Sequence, residues 1–151
     1  LAGCGFKLRG QQTFPFDSIY LPPNNPLTTE LARNVVAGSN AKLATVAADA
    51  EAQFLLLGEV QEKVILALNT QGQVREYQLR YRVVFRVGSP KGVDFLPTSQ
   101  IQLTRDITFN DQVLAKESEE AQLYRDMRRD MVQLIMRRLA AARPLAPEPE
   151  D

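Results

Sequence analysis

From Val74 to Val87 the chain alternates for fourteen residues, and few folds accommodate that. Tyr77, Leu79, Tyr81, Val83, Phe85 and Val87 fall on one side of an extended backbone, and Glu76, Gln78, Arg80, Arg82 and Arg86 on the other, with Val84 the one exception. A period of two held this long predicts a half-buried β-strand. Its Tyr, Val and Phe residues suit a pleated surface. One face needs an apolar cover; the other is wet or meets a polar partner, and it carries Arg80, Arg82 and Arg86.

The flanking stretches supply neighbours for that strand. From Gln53 onward, Phe54, Leu56, Val60, Val64, Leu66 and Leu68 share one parity, with Gly58 and Glu62 as exceptions. Gln53, Glu59, Gln61 and Lys63 lie on the other, which predicts a second strand with its even-numbered face buried. Asn69 to Gln73, around Gly72, is a hairpin turn. Gly88 to Gly92 is a second turn, before a third strand from about Phe95 to Phe109. In it Arg105 sits on the apolar parity of Ile101, Leu103, Ile107 and Phe109; a structural reading, as a bulge or as an arginine whose stem packs while its head reaches water, is favoured over an inward charge that meets a ligand.

Two helices complete the pattern. Asn25 can cap a helix whose first position is Pro26, and Leu27, Leu31 and Val35 keep one stripe until Gly38-Ser39-Asn40, where a residue tolerant of positive φ is expected to end it. A longer helix, from about 112 to 142, is marked by Leu123, Met127, Met131, Leu134, Ile135 and Leu139. Acidic residues lie toward its start and basic ones at its end, which complements the helix dipole. Asp17 to Leu21 is a short strand bounded by prolines, and Leu43 to Val46 a minor one. The economical architecture is an α+β domain of two layers, with both amphipathic helices on one face of a mostly antiparallel four-stranded sheet. It spans residues 14–143; residues 144–151, where Pro and acid alternate, are expected to be disordered.

Composition narrows function by exclusion. The chain has no His and one Cys, so neither a His-dependent triad nor a zinc cluster can be assembled. There is no Gly-rich phosphate loop, no catalytic constellation and no cofactor motif, so an enzyme is not expected. Formal net charge is zero, and nothing general draws the chain to nucleic acid.

The cysteine is placed unusually, in Leu1-Ala2-Gly3-Cys4. These residues resemble the lipobox of bacterial lipoproteins, in which a signal peptide is cut before a Cys that is then lipid-modified. On that resemblance residues 1–3 are a signal remnant, and 4–13 a polar tether lipidated at Cys4. Cys4-Gly5-Phe6-Lys7-Leu8-Arg9-Gly10 is also similar to the start of the lipopolysaccharide-assembly lipoprotein family, LptE. Gly72-Gln73-Val74-Arg75-Glu76-Tyr77 resembles the entry to that family's alternating strand. Leu114-Ala115-Lys116-Glu117, with Glu119-Glu120, Leu123-Tyr124, Met127-Arg128, Asp130 and Gln133-Leu134, resembles its last helix.

The resemblance implies a non-enzymatic protein, lipid-anchored on the periplasmic side of the outer membrane, that plugs and helps assemble the LptD β-barrel and binds lipopolysaccharide. The alternative is another periplasm-facing envelope lipoprotein acting as carrier or scaffold. One family contact to lipopolysaccharide, the Lys of an Ala-Lys-acid motif, falls on Lys116. The other is a basic residue in the hairpin turn; here Asn69-Thr70-Gln71-Gly72 has no charge, and Arg75 just beyond is the substitute. Lys116 has two readings: pairing with Glu119 or Glu120, or attraction to the phosphates of lipid A, and the resemblance favours the second. Arg80, Arg82 and Arg86 are candidates to face the barrel or the ligand.

Overall fold

The computed structural model describes residues 11–108 and 116–144. In chain order these form β1 (Ser18–Tyr20), α1 (Pro26–Gly38), β2 (Lys42–Leu43), a single 3-10 turn (Ala47–Asp49), β3 (Ala52–Leu68), β4 (Val74–Gly88), β5 (Leu96–Thr108) and α2 (Lys116–Ala141). The fold is α+β with two helices, but the sheet is five-stranded and mixed, ordered β2-β1-β3-β4-β5. This corrects the four-stranded, mostly antiparallel expectation. β3, β4 and β5 form an antiparallel meander through tight turns, at which Gly72 (φ 78°) and Gly92 (φ 83°) take the left-handed conformation. β1 is parallel to both its neighbours, with Ile19 against Leu43 of β2 and Ala52 of β3. Both short strands fall at or beside the stretches read as strands, Asp17 to Leu21 and Leu43 to Val46; what the sequence does not show is their parallel pairing, which distant partners set.

The chain divides into two compact units. One comprises Leu56–Phe85 and Ser99–Met131, the other the remainder, so that β3, β4, β5 and α2 each pass from one to the other.

In the unit holding both short strands, α1 begins as expected. The Asn25 side chain accepts hydrogen bonds from Leu27 N–H (2.8 Å) and Thr28 N–H (3.1 Å). Leu27, Leu31 and Val35 are fully buried. Its end differs from expectation. Gly38 does not turn left-handed; Ser39 closes the helix, with its N–H and its hydroxyl both donating to Val35 O, at 3.1 and 2.7 Å. Positive φ occurs instead at Asn24 (64°), before the helix, where asparagine tolerates the left-handed conformation. Phe16 is buried between Phe14 (5.4 Å between ring centroids) and Phe95 (5.2 Å). Asn40 staples this segment, accepting from Phe14 N–H at 2.7 Å and donating to Phe14 O and Phe16 O at 3.3 and 3.2 Å. Val132, Ile135, Met136 and Leu139 of α2 are buried in the same unit.

In the meander unit, the covered face of β4 is the one the alternation predicts: Leu79, Tyr81, Val83 and Phe85 are fully buried. Ile101 and Ile107 of β5 and Met127 and Met131 of α2 join them. Arg105 lies on the covered side and ion-pairs with Asp130 of α2 at 2.6 Å, while its neighbours along the strand remain regular; its head is partly exposed, as the second of its two structural readings expects.

β3 overturns its prediction in this unit. Lys63 reaches Glu120 of α2 at 3.1 Å and lies over the Tyr77 ring, and Glu59 accepts a short hydrogen bond from the Tyr81 hydroxyl. The odd-numbered residues therefore face the helix. Val60, Leu66 and Leu68, expected in the core, are exposed. Register is the cause. A Cβ on Gly58 would lie 3.8 Å from Cβ of Val84, and Val84 is on the open side of β4, so every even-numbered residue of β3 beyond Gly58 is open with it. Ala52 and Phe54, at the start of the same strand, are buried.

Candidate functional site

The open face of the meander unit is the candidate site. The Asn69 N–H to Gln73 O bond (2.8 Å) and the Gly58–Val84 neighbours share one register, which sets Val60 opposite Arg82, Glu62 opposite Arg80 and Val64 opposite Gln78. On the far side of β4, Gln78 donates to Asp106 of β5 at 3.1 Å, and Arg80 Nε donates to Gln78 Oε1 at 2.8 Å. The face thus has three bands: a largely apolar one along β3 (Val60, Val64, Leu66, Leu68) interrupted by Glu62, one along β4 in which Arg80 and Arg82 follow Glu76 and Gln78, and neutral polar residues with Asp106 along β5. Arg80 has a carboxylate opposite it, whereas Arg82 has a valine. A guanidinium beside an aliphatic row suits a ligand that brings an anionic group and hydrocarbon together.

The remaining predicted residues are placed elsewhere. Arg86 belongs to the other unit, where Asp94 Oδ1 stands 4.0 Å from its Nε. Arg75 is exposed near the start of β4, two residues beyond the turn. Lys116 is the first residue of α2, one turn ahead of Glu120; its side chain, like Cys4 and residues 145–151, is outside the described residues. So are 112–115, where α2 was expected to begin. The structure brings Arg80 and Arg82 together on one face, and sequence reasoning missed the apolar row beside them. The available signal was Leu57 and Ile65, apolar residues on the parity assigned to water: a strand apolar on both sides cannot have its covered face read from periodicity.

The helix-facing side carries a coupled pair. Hydrogen bonding to Glu120 holds the Lys63 ammonium above its ordinary 10.5, against a smaller opposing desolvation. Burial holds the Tyr124 hydroxyl above its ordinary 10.0, and the Glu120 charge adds to this while that of Lys63 opposes it. Both groups bind protons more tightly when folded. Their stabilising contribution is therefore complete below the unfolded values of 10.0 and 10.5 and is lost as pH rises through the folded ones. The urea midpoint should fall above pH 10, and Glu120→Gln, which removes the shared cause, should flatten that fall; an identical alkaline slope in the variant would show that the pair does not govern it.

Among the described residues no group of three or more His, Cys, Asp or Glu side chains is placed to hold a metal ion. No helix there is long and apolar enough to cross a membrane. A surface hollow of about 440 Å³ lies in the unit of the short strands; its lining is mostly apolar (Leu21, Pro22, Ala32, Val36, Leu43), with Thr28, Thr29 and Arg33.

No curated protein matches the chain. Solved structures do. A lipoprotein B from Nitrosomonas europaea is 38% identical, with a TM-score of 0.76 over 91% of both chains. The rare lipoprotein B of Shewanella oneidensis is 25% identical, with a TM-score of 0.69 over 83% of this chain and 92% of its own. A minor lipoprotein from Acinetobacter baumannii, 21% identical, shares the fold with a TM-score of 0.67 over 93% of this chain and 100% of its own. The model of the lipopolysaccharide-assembly family LptE matches residues 16–139, which take in every strand and helix described above but the last two residues of α2. On that match, the chain belongs to the LptE family and has a role in lipopolysaccharide assembly.

Proposed function

We propose that this protein is an outer-membrane lipoprotein, anchored through Cys4 on the periplasmic side, that plugs and helps assemble the LptD barrel and binds lipopolysaccharide in transit to the outer leaflet. Family membership and the lipoprotein character of the similar structures support the anchoring and the partner. One observation supports the binding of lipopolysaccharide: Arg82 stands beside Val60 of the exposed aliphatic row of β3, with Arg80 two residues along on the same face. Lipid A joins phosphates to acyl chains, and this face offers a match to both. Arg75, on the odd-numbered side of β4, and Lys116, on α2, lie off this face and are cations for other phosphates. The protein acts by binding and positioning, without bond-making chemistry.

Co-expression with LptD tests the partner: the barrel should co-purify with the full chain, and its failure to do so would refute the plug. Cys4→Ala should fold normally and leave the membrane fraction when LptD is absent. For the ligand, Arg80→Glu with Arg82→Glu should lower lipopolysaccharide affinity roughly tenfold or more, because exposed charge contacts contribute up to about 1 kcal/mol each and reversal makes both repulsive. Lys116→Glu should act in the same direction, and each loss should shrink with added salt. Unchanged affinity in both variants, with unchanged melting, would refute these positions.

A further inference from the structure

β3 is a sheet edge for most of its length. β1 pairs with it at Ala52 and Gln53, and beyond Gln53 no other strand among the described residues lies on that side. Because Asn69 bonds to Gln73 of β4, the odd-numbered residues of β3 direct their backbone groups toward β4 and the even-numbered ones direct theirs outward. The Tyr124 hydroxyl confirms this by donating to Glu62 O at 3.2 Å. An edge this long usually carries few apolar side chains. Here Leu57 is 54% exposed and Ile65 55% on one face, and Leu66 is 46% exposed on the other.

The stretch from Leu56 to Leu66 is also a chemical near-mirror about Gln61: Leu-Leu-Gly-Glu-Val, then Glu-Lys-Val-Ile-Leu. Laid antiparallel on a second copy with Gln61 on the two-fold axis, Leu57 meets Ile65, Leu56 meets Leu66, and Glu59 meets Lys63. Neighbouring registers are worse. Centring on Glu62 opposes two carboxylates, and centring on Val60 loses the Glu59–Lys63 match and sets Lys63 against Leu57; the mismatch left in the Gln61 register is Val60 against Glu62. Charges on an edge ordinarily repel other strands; these are complementary to the same edge turned around.

We infer that β3 is a self-association surface, which pairs with β3 of a second copy of this chain, antiparallel about Gln61, to continue the sheet. The even-numbered residues supply the ladder, with Val64 N–H donating to Gly58 O of the other copy. The Tyr124 hydroxyl, now on the Glu62 carbonyl, gives way to a backbone donor. The contact is isologous and closes at two copies. It does not depend on the lipopolysaccharide role.

Sedimentation of the full chain over about 10 to 500 µM should show a monomer–dimer equilibrium, the range suited to a small interface. Val64→Pro removes an outward N–H and leaves the β4 ladder whole, so it should weaken the dimer about tenfold or more without shifting the melting curve. The Gln61→Cys variant, in a Cys4→Ser chain, gives a test that survives if the proline disturbs folding. Residues facing across this axis form a non-hydrogen-bonded pair, whose short Cα separation permits a disulfide. Mild oxidation should yield a covalent dimer, whereas Val60→Cys, which faces Glu62 of the other copy, should not. A monomer throughout the range, or a dimer unaffected by Val64→Pro in a folded protein, overturns the inference; the first result would leave the edge to a strand of a different protein.

Discussion

Tyr81→Asp is expected to unfold the domain, while Arg82→Asp, one residue along, leaves it folded. Tyr81 is fully buried, and its hydroxyl donates to Glu59. An aspartate there loses the packing of a large aromatic ring and sets a second carboxyl group near the first. The cost should be at least about 4 kcal/mol, from the cavity and from burial of an unpaired charge. Arg82 points to the open face, and its replacement should change stability by no more than about 1 kcal/mol. Urea unfolding of the two variants decides it; comparable losses in both would mean that the sides of β4 are wrongly assigned.

Phe16→Ala should have the second-largest effect, about 3–5 kcal/mol as for other buried aromatic truncations. Phe16 is 2% exposed, and its ring is the middle member of the Phe14–Phe16–Phe95 row. Alanine would leave a void that Phe14 cannot fill, because Asn40 holds the backbone of both residues. Val36→Ala, at a residue of α1 that is 62% exposed, should change stability by less than about 0.5 kcal/mol. A calorimetric comparison checks both; a Phe16 variant that melts with the parent would show that this row adds nothing to the core.

β4 was legible because its alternation is unbroken and its polar side carries arginines that rarely enter a core. α1 was legible because Asn25, Pro26 and the stripe from Leu27 to Val35 agree with one another. The outer half of β3 was not. Val60 and Leu66 on one side and Leu57 and Ile65 on the other give no preferred face, and the choice is made across the hairpin, where Gly58 meets Val84. Lys63 is exposed, as its parity predicts, but periodicity cannot show that Glu120 of α2, distant in sequence, draws it to the helix side. The arginine half of the candidate face was visible in β4 alone. Its apolar half became visible only once the two strands were in register.

Asn40 shows how narrow a sequence requirement one side chain can impose. Both ends of its amide are used, the oxygen on Phe14 N–H and the nitrogen on Phe14 O and Phe16 O. Aspartate keeps the shape and the acceptor but turns the donor toward two carbonyls into a third oxygen, and leucine keeps the volume and loses everything else. Glutamine has the right chemistry on a stem one methylene too long. Chemical ageing of the amide to a carboxylate would have the effect of the aspartate. Asn40 is exposed, as Lys42 and Thr45 are, so that its bonds, not its burial, set it apart from them.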